Sequence, residues 1–149
     1  MEEIQLALFR IGEDEYVVNI MRIKEVIKYQ KITHVPKSPP FIEGVINLRG
    51  IVVPIVDMRK RFDIPSPSIN PKVRIIIMQV EDRILGILVD EVSDVIKLPA
   101  SSIMPPPKII KGIEAEFLEG VCEVKERVLL LLNIDKILTV AEKVRWNHE

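Results

Sequence analysis

Phe41-Ile42-Glu43-Gly44-Val45-Ile46-Asn47-Leu48-Arg49-Gly50, continued by Ile51-Val52-Val53-Pro54-Ile55-Val56-Asp57, decides the fold. Gly44 opens an apolar strand, Val45 to Leu48. Arg49-Gly50 makes a tight turn, and Ile51 to Val56 returns as a near-continuous apolar strand of the kind buried on both faces. Pro54 has no N–H to give a ladder, so its place is at an edge or a bulge. Asp57 ends the strand and can cap a short helix, Met58 to Phe62.

The same pattern recurs later in the chain. At a shift of 76, Phe41-Ile42-Glu43-Gly44-Val45 falls on Phe117-Leu118-Glu119-Gly120-Val121, Asp57 on Asn133 and Lys60 on Lys136. Asn133 then caps a second short helix, Ile134 to Leu138. Upstream of the prolines the shift is 69: Glu25-Val26-Ile27-Lys28 falls on Asp94-Val95-Ile96-Lys97, Ile23 on Val92, Ile20 on Val89, Tyr16 on Leu85 and Pro36 on Pro105. A seven-residue insertion separates the two registers. Self-similarity over such a length is the mark of a duplicated supersecondary unit.

Each copy opens on a hairpin. Leu6 to Ile11 and Tyr16 to Ile20 flank the polar turn Gly12-Glu13-Asp14-Glu15, and copy two turns around Glu81-Asp82-Arg83. Asn19 is then expected to cap a short helix carrying Ile20, Ile23 and Ile27 at helical spacing, with Val89, Val92 and Ile96 as counterparts. The proline-rich stretch 64–71 reads as a linker between a first unit, 1–63, and a second, 72–140, with 141–149 as a tail. Short strands with Gly and Pro turns, repeated twice, predict an all-β protein with short helices, built as two small barrels. Each is near the lower size limit for standing alone, so a shared apolar seam should stabilise both and offers a place for a groove.

Composition narrows the function. The chain has 149 residues, 48% of them hydrophobic and 29% charged, with a formal net charge of -1. No strong field draws it to nucleic acid or anionic lipid. The single cysteine, Cys122, excludes an intramolecular disulfide, the N-terminus lacks a signal-peptide pattern, and no apolar run approaches the roughly 20 residues that span a bilayer. A cytoplasmic location is expected.

Catalytic and cofactor chemistry lacks its usual signatures. His34, His148 and Cys122 are too dispersed to form a metal motif; His34 reads as a loop or surface residue and Cys122 as a small core or interface residue. The six glycines form no phosphate-binding loop. Asp57, Asp90 and Glu91 sit at strand ends, where structural roles are expected. Arg59-Lys60-Arg61 reads as a solvated basic face, with Met58 and Phe62 turned inward. Nucleic-acid proteins usually add a larger basic surface or stacking aromatics, and aromatics are 5% here. No catalytic residue, metal or cofactor is expected.

The segment 41–50 with Val53-Pro54-Ile55-Val56-Asp57-Met58-Arg59 resembles the signature stretch of the bacterial chemotaxis coupling proteins, the CheW family. Gly86-Ile87-Leu88-Val89-Asp90-Glu91-Val92-Ser93-Asp94-Val95-Ile96 and Leu129-Leu130-Leu131-Leu132-Asn133-Ile134-Asp135-Lys136-Ile137-Leu138 resemble that family's second-barrel motifs, in order and spacing. The likeness runs from about Leu6 to Leu138.

The resemblance implies two SH3-like five-stranded barrels, with the first strand free to pair with the second barrel. It also implies a non-enzymatic scaffold joining the cytoplasmic tips of chemoreceptors to the SH3-like regulatory domain of a histidine kinase. The family's receptor-contacting positions fall on Ile23, Glu25, Gly44 and Arg49. The same domain occurs within the kinase and fused to a receiver domain. This chain begins at a methionine and carries no ATP-binding or phospho-acceptor segment, so a stand-alone coupling protein is expected. The alternatives are a paralogue serving a non-flagellar pathway and a small-ligand-binding or enzymatic barrel pair.

Overall fold

The computed structural model describes residues 2–37, 42–61, 70–80, 82–106 and 117–137. The elements are β1 (Glu3–Ile11), β2 (Asp14–Asn19), a 3₁₀ turn (Ile20–Arg22), β3 (Ile23–Lys28), β4 (Ile42–Leu48), β5 (Ile51–Asp57), α1 (Met58–Arg61), β6 (Arg74–Val80), β7 (Arg83–Val89), β8 (Glu91–Pro99), a second 3₁₀ turn (Ala100–Ser102), β9 (Leu118–Val124) and β10 (Arg127–Leu132). One helical turn follows at 134–137. Residues 64–69 of the linker stretch 64–71 and the tail 141–149 lie outside the described residues, as do Phe62, Leu138 and His148.

Two five-stranded sheets form, ordered β8-β1-β2-β10-β9 (barrel A) and β3-β6-β7-β5-β4 (barrel B). The sheets do not follow the halves of the sequence. Barrel A takes β1 and β2 from the first copy and the rest from the second; barrel B takes β6 and β7 from the second copy and the rest from the first. The copies have exchanged hairpins, and β1 pairs with β8 along most of its length. The division at 64–71 therefore marks the repeat and not the sheets.

The exchange shows in how β1 is buried. Leu6 and Leu8 fill the interior of barrel A, while Ala7, Phe9 and Ile11, on the other face, lie in the seam between the barrels. In barrel B, Ile75 and Ile77 point inward while Ile76 and Met78 join the same seam. Because successive side chains in a strand alternate sides, an apolar run without polar interruption means both faces are covered.

Both barrels close in the same way. Thr33 exchanges backbone hydrogen bonds with Val45 at 2.9 and 2.8 Å, and Met104 does so with Val121 at 2.8 Å each way. The preceding glycines make room for these bridges. A Cβ on Gly120 would lie 2.7 Å from the Met104 carbonyl oxygen, and one on Gly44, whose φ is +150°, would overlap the Thr33 carbonyl. Val45 faces Pro54 across the β4–β5 ladder. Val45 spends its N–H and C=O on Thr33, so Pro54's missing donor costs that ladder nothing. The parallel pairing of β5 with β7 begins only at Ile55, and Pro54 thus sits where β5 is open on that side.

The helix expected from Asn19 is a single 3₁₀ turn: the Asn19 carboxamide accepts the Met21 N–H at 2.9 Å, and β3 begins at Ile23. In copy two β7 runs to Val89, Asp90 is a bend, and Val92 and Ile96 lie in β8. Tertiary pairing explains the difference. Along β3, Ile23, Glu25 and Ile27 are part-buried and Lys24, Val26 and Lys28 exposed, which is strand alternation. Stiff β-branched side chains fit a pleated ladder on β6 better than a helix. The two later caps form as expected: Asp57 Oδ1 accepts the Arg59 N–H at 3.0 Å and Asn133 Oδ1 the Lys136 N–H at 3.1 Å.

Candidate functional site

All four residues that the resemblance singles out lie in barrel B, and two of them pair with each other. Arg49 and Gly50 carry φ of +51° and +89°, both positive as a two-residue hairpin of right-handed twist requires, and Asn47 Oδ1 accepts the Gly50 N–H at 2.8 Å. This turn lifts Arg49 out of the sheet, with its side chain 65% exposed. Glu25 stands on β3, the opposite edge strand of the same sheet, where the register with β6 shifts between Ile23 and Glu25. Closure of the barrel brings the edges together, and the Arg49 guanidinium pairs with the Glu25 carboxylate.

Ile23 and Gly44 sit differently. Ile23 packs against the seam core, and Gly44 is occupied by its fit beneath Thr33. At the other end of β4, Lys60 Nζ meets Glu43 Oε1 at 2.5 Å, while Ile51, Val52 and Val26 are exposed apolar neighbours in the sequence of Arg49 and Glu25. The result is an ion pair joining the β4–β5 turn to β3, with exposed apolar residues next to it in the sequence, a surface suited to binding a protein.

A second constellation was missed from the sequence. Arg59, expected on a solvated face, is 2% exposed. Its Nε meets Asp57 Oδ1 at 3.1 Å and its Nη1 meets Asp90 Oδ1 at 2.6 Å, with both carboxylates also buried. Asp90 Oδ2 accepts the Gly12 N–H at 2.6 Å, and the Asp90 N–H reaches the Arg10 carbonyl at 2.9 Å. The cluster therefore runs from barrel B into the β1–β2 turn of barrel A. One signal was available in the sequence. Asp57-x-Arg59 and Asp90 each follow an apolar strand directly, where a charge either emerges into solvent or is buried with a partner. Of the remaining basic run, Lys60 is exposed as expected and the Arg61 side chain lies outside the described residues.

Cys122 is buried, and burial pushes its thiol pKa up, which leaves it the inert core residue expected. His34 is exposed on the segment after β3. Among the described residues no three His, Cys, Asp or Glu converge on a metal-sized site, and no helix is long and apolar enough to cross a membrane.

Residues 5–142 match the model of the CheW-like domain. The chain belongs to the CheW family. It is 36% identical over 138 residues to the chemotaxis protein CheW of Klebsiella aerogenes, covering 93% of this chain and 83% of that one. It is 34% identical over 134 residues to CheW of Bacillus subtilis, covering 90% and 86%. Among solved structures, the scaffolding protein TtCheW of Thermoanaerobacter tengcongensis superposes with a TM-score of 0.82 at 34% identity, covering 89% of this chain and 90% of that one. The paired five-stranded barrels are thus the CheW fold, with the Glu25–Arg49 pair on barrel B and the buried Arg59 at the ends of β5 and β7.

Proposed function

We propose that this protein is a non-enzymatic cytoplasmic adaptor that couples chemoreceptors to the chemotaxis histidine kinase. The observation that carries the reading is the Glu25–Arg49 pair. It joins an exposed arginine held out on a tight turn to a part-buried carboxylate, and exposed Ile51 and Val52 follow the turn in β5. Such a surface suits the α-helical hairpin tip of a receptor, whose apolar side chains would cover the valine and isoleucine while its polar groups compete for the guanidinium and carboxylate. Ile23 and Gly44 then act beneath that surface, one by packing against the seam and the other by letting Thr33 close the barrel. The kinase's own SH3-like regulatory domain would dock on a barrel face, with apolar contacts at the centre and charges at the rim.

The test is reconstitution. Kinase autophosphorylation is measured with a receptor fragment, with this protein, and with both. The adaptor reading expects a rise only with all three components together. A rise without this protein, or ATP turnover by the protein alone, refutes it.

A further inference from the structure

We propose that the buried Asp57–Arg59–Asp90 cluster sets the angle between the two barrels, acting as a fixed pivot at one of the two junctions where the chain crosses between them. The chain passes from barrel A to barrel B at Ile20–Arg22, and back from B to A at Asp90, between β7 and β8. Apart from these crossings, the barrels meet through an apolar seam that includes Phe9, Val18, Ile76, Met78 and Leu132. Apolar burial has no direction and tolerates sliding. A planar guanidinium does not: it fixes its partners' positions through the directions of its N–H groups.

Arg59 uses Nε on Asp57 and Nη1 on Asp90, so the end of β5 and the end of β7 are held around one rigid group. The other oxygen of Asp90 takes the Gly12 N–H, and Arg10 Nη1 closes on the Gly12 carbonyl at 2.7 Å. Three elements from two barrels are thereby oriented by directional bonds, buried around Arg59 and part-buried at Gly12.

The duplication supplies an internal control. The shifts of 76 and 69 carry Asp57, Arg59 and Asp90 onto Asn133, Asp135 and Met21. At that second junction Arg22 meets Asp135 at 3.5 Å with side chains 38% and 58% exposed, and Met21 stands out in solvent. An exposed pair of that length constrains little. The buried junction is the one at Asp90, so relative motion of the barrels would turn about Asp90.

Full exchange of the cluster tests this. Arg59→Met alone would strand two buried carboxylates and damage the protein for that reason. In Asp57→Asn/Arg59→Met/Asp90→Asn, the carboxamides keep acceptors for the Arg59-position and Gly12 N–H groups, and no charge is left buried. Spin labels at Val52→Cys in barrel B and Val128→Cys in barrel A, both exposed strand positions, report the inter-barrel distance, with buried Cys122 protected from labelling. The expected result is a thermal midpoint within about 4 °C of the parent and a distance distribution at least twofold broader. An unchanged distribution shows that the seam alone sets the angle and overturns the proposal. Loss of folding overturns it too, since the cluster would then be a source of stability rather than of orientation.

This readout needs no partner, so it succeeds or fails independently of the adaptor reading. The functional consequence does rest on that reading: the triple variant should bind receptor and kinase fragments separately, with less than a twofold change in affinity, yet lose most of the kinase stimulation. If the parent protein shows no stimulation either, the adaptor reading has failed and the pivot still stands on its distances.

Discussion

Arg49→His separates a binding anchor from a structural brace. Three features limit what the arginine contributes to folding. The turn is held by the Asn47 side chain on the Gly50 N–H, independently of Arg49. The Arg49 side chain is 65% exposed and its pair with Glu25 is open to solvent on that side, and exposed pairs contribute about 0–1 kcal/mol. The backbone at Arg49 has φ of +51°, a region histidine enters more readily than most residues. Folding stability should therefore change by less than about 0.5 kcal/mol. Receptor binding should weaken by about 1–3 kcal/mol, roughly 5- to 150-fold, because the guanidinium would be lost from the centre of the contact. Kinase binding should be spared. Melting curves and two titrations on one sample measure all three, and Glu25→Gln alone and with Arg49→His completes a double-mutant cycle. If the two residues act as one element, the double variant is no worse than the poorer single. A fall in thermal midpoint beyond about 5 °C, equal loss of both partners, or undiminished receptor binding would refute the reasoning.

Gly120→Ala should cost about 1–3 kcal/mol of stability, read from denaturant unfolding, because the new Cβ meets the Met104 carbonyl, a backbone group that cannot step aside cheaply; unchanged stability would mean that the closing segment of barrel A yields freely. The Glu15–Arg127 pair joins β2 to β10 through bonds of 2.9 and 2.5 Å, and hydrogen bonding to Arg127 is the main cause that holds the Glu15 carboxyl below its ordinary value of 4.5. A depressed carboxylate stabilises the fold above its unfolded pKa and loses that contribution as pH falls through the folded one. Glu15→Gln should then melt slightly below the parent at neutral pH and converge with it in acid, and the gap should shrink in high salt because both groups are exposed; a gap that persists in acid would assign the effect to something other than the charge.

What could be read from the sequence was what depends on local chemistry. Gly44 and Gly120 recur in one frame, and the structure gives both the same task of admitting a neighbouring backbone. Asp57 and Asn133 announce helix caps because a side-chain oxygen two or three residues before an N–H is a local arrangement. Ile20, Ile23 and Ile27 misled because Ile23 and Ile27 satisfy both the helical spacing and strand alternation, and the choice was made by β6, some fifty residues away in the chain. Arg59 misled for a similar reason: beside Lys60 and Arg61 it looks solvated, and only Asp90, 31 residues on, gives it a buried partner.

The exchange of hairpins was hidden most deeply, because periodicity shows that a strand is buried on two sides without showing between what. Its consequence for folding is the strongest one the topology carries. Residues 1–63 alone would hold β1 and β2 without β8 and β10, and β3 to β5 without β6 and β7, leaving each partial sheet with open edges and no closed interior. Neither barrel can be completed from one copy. The duplicated halves therefore fold through each other, and the seam that joins the barrels forms from strands whose other face is filling a barrel at the same time.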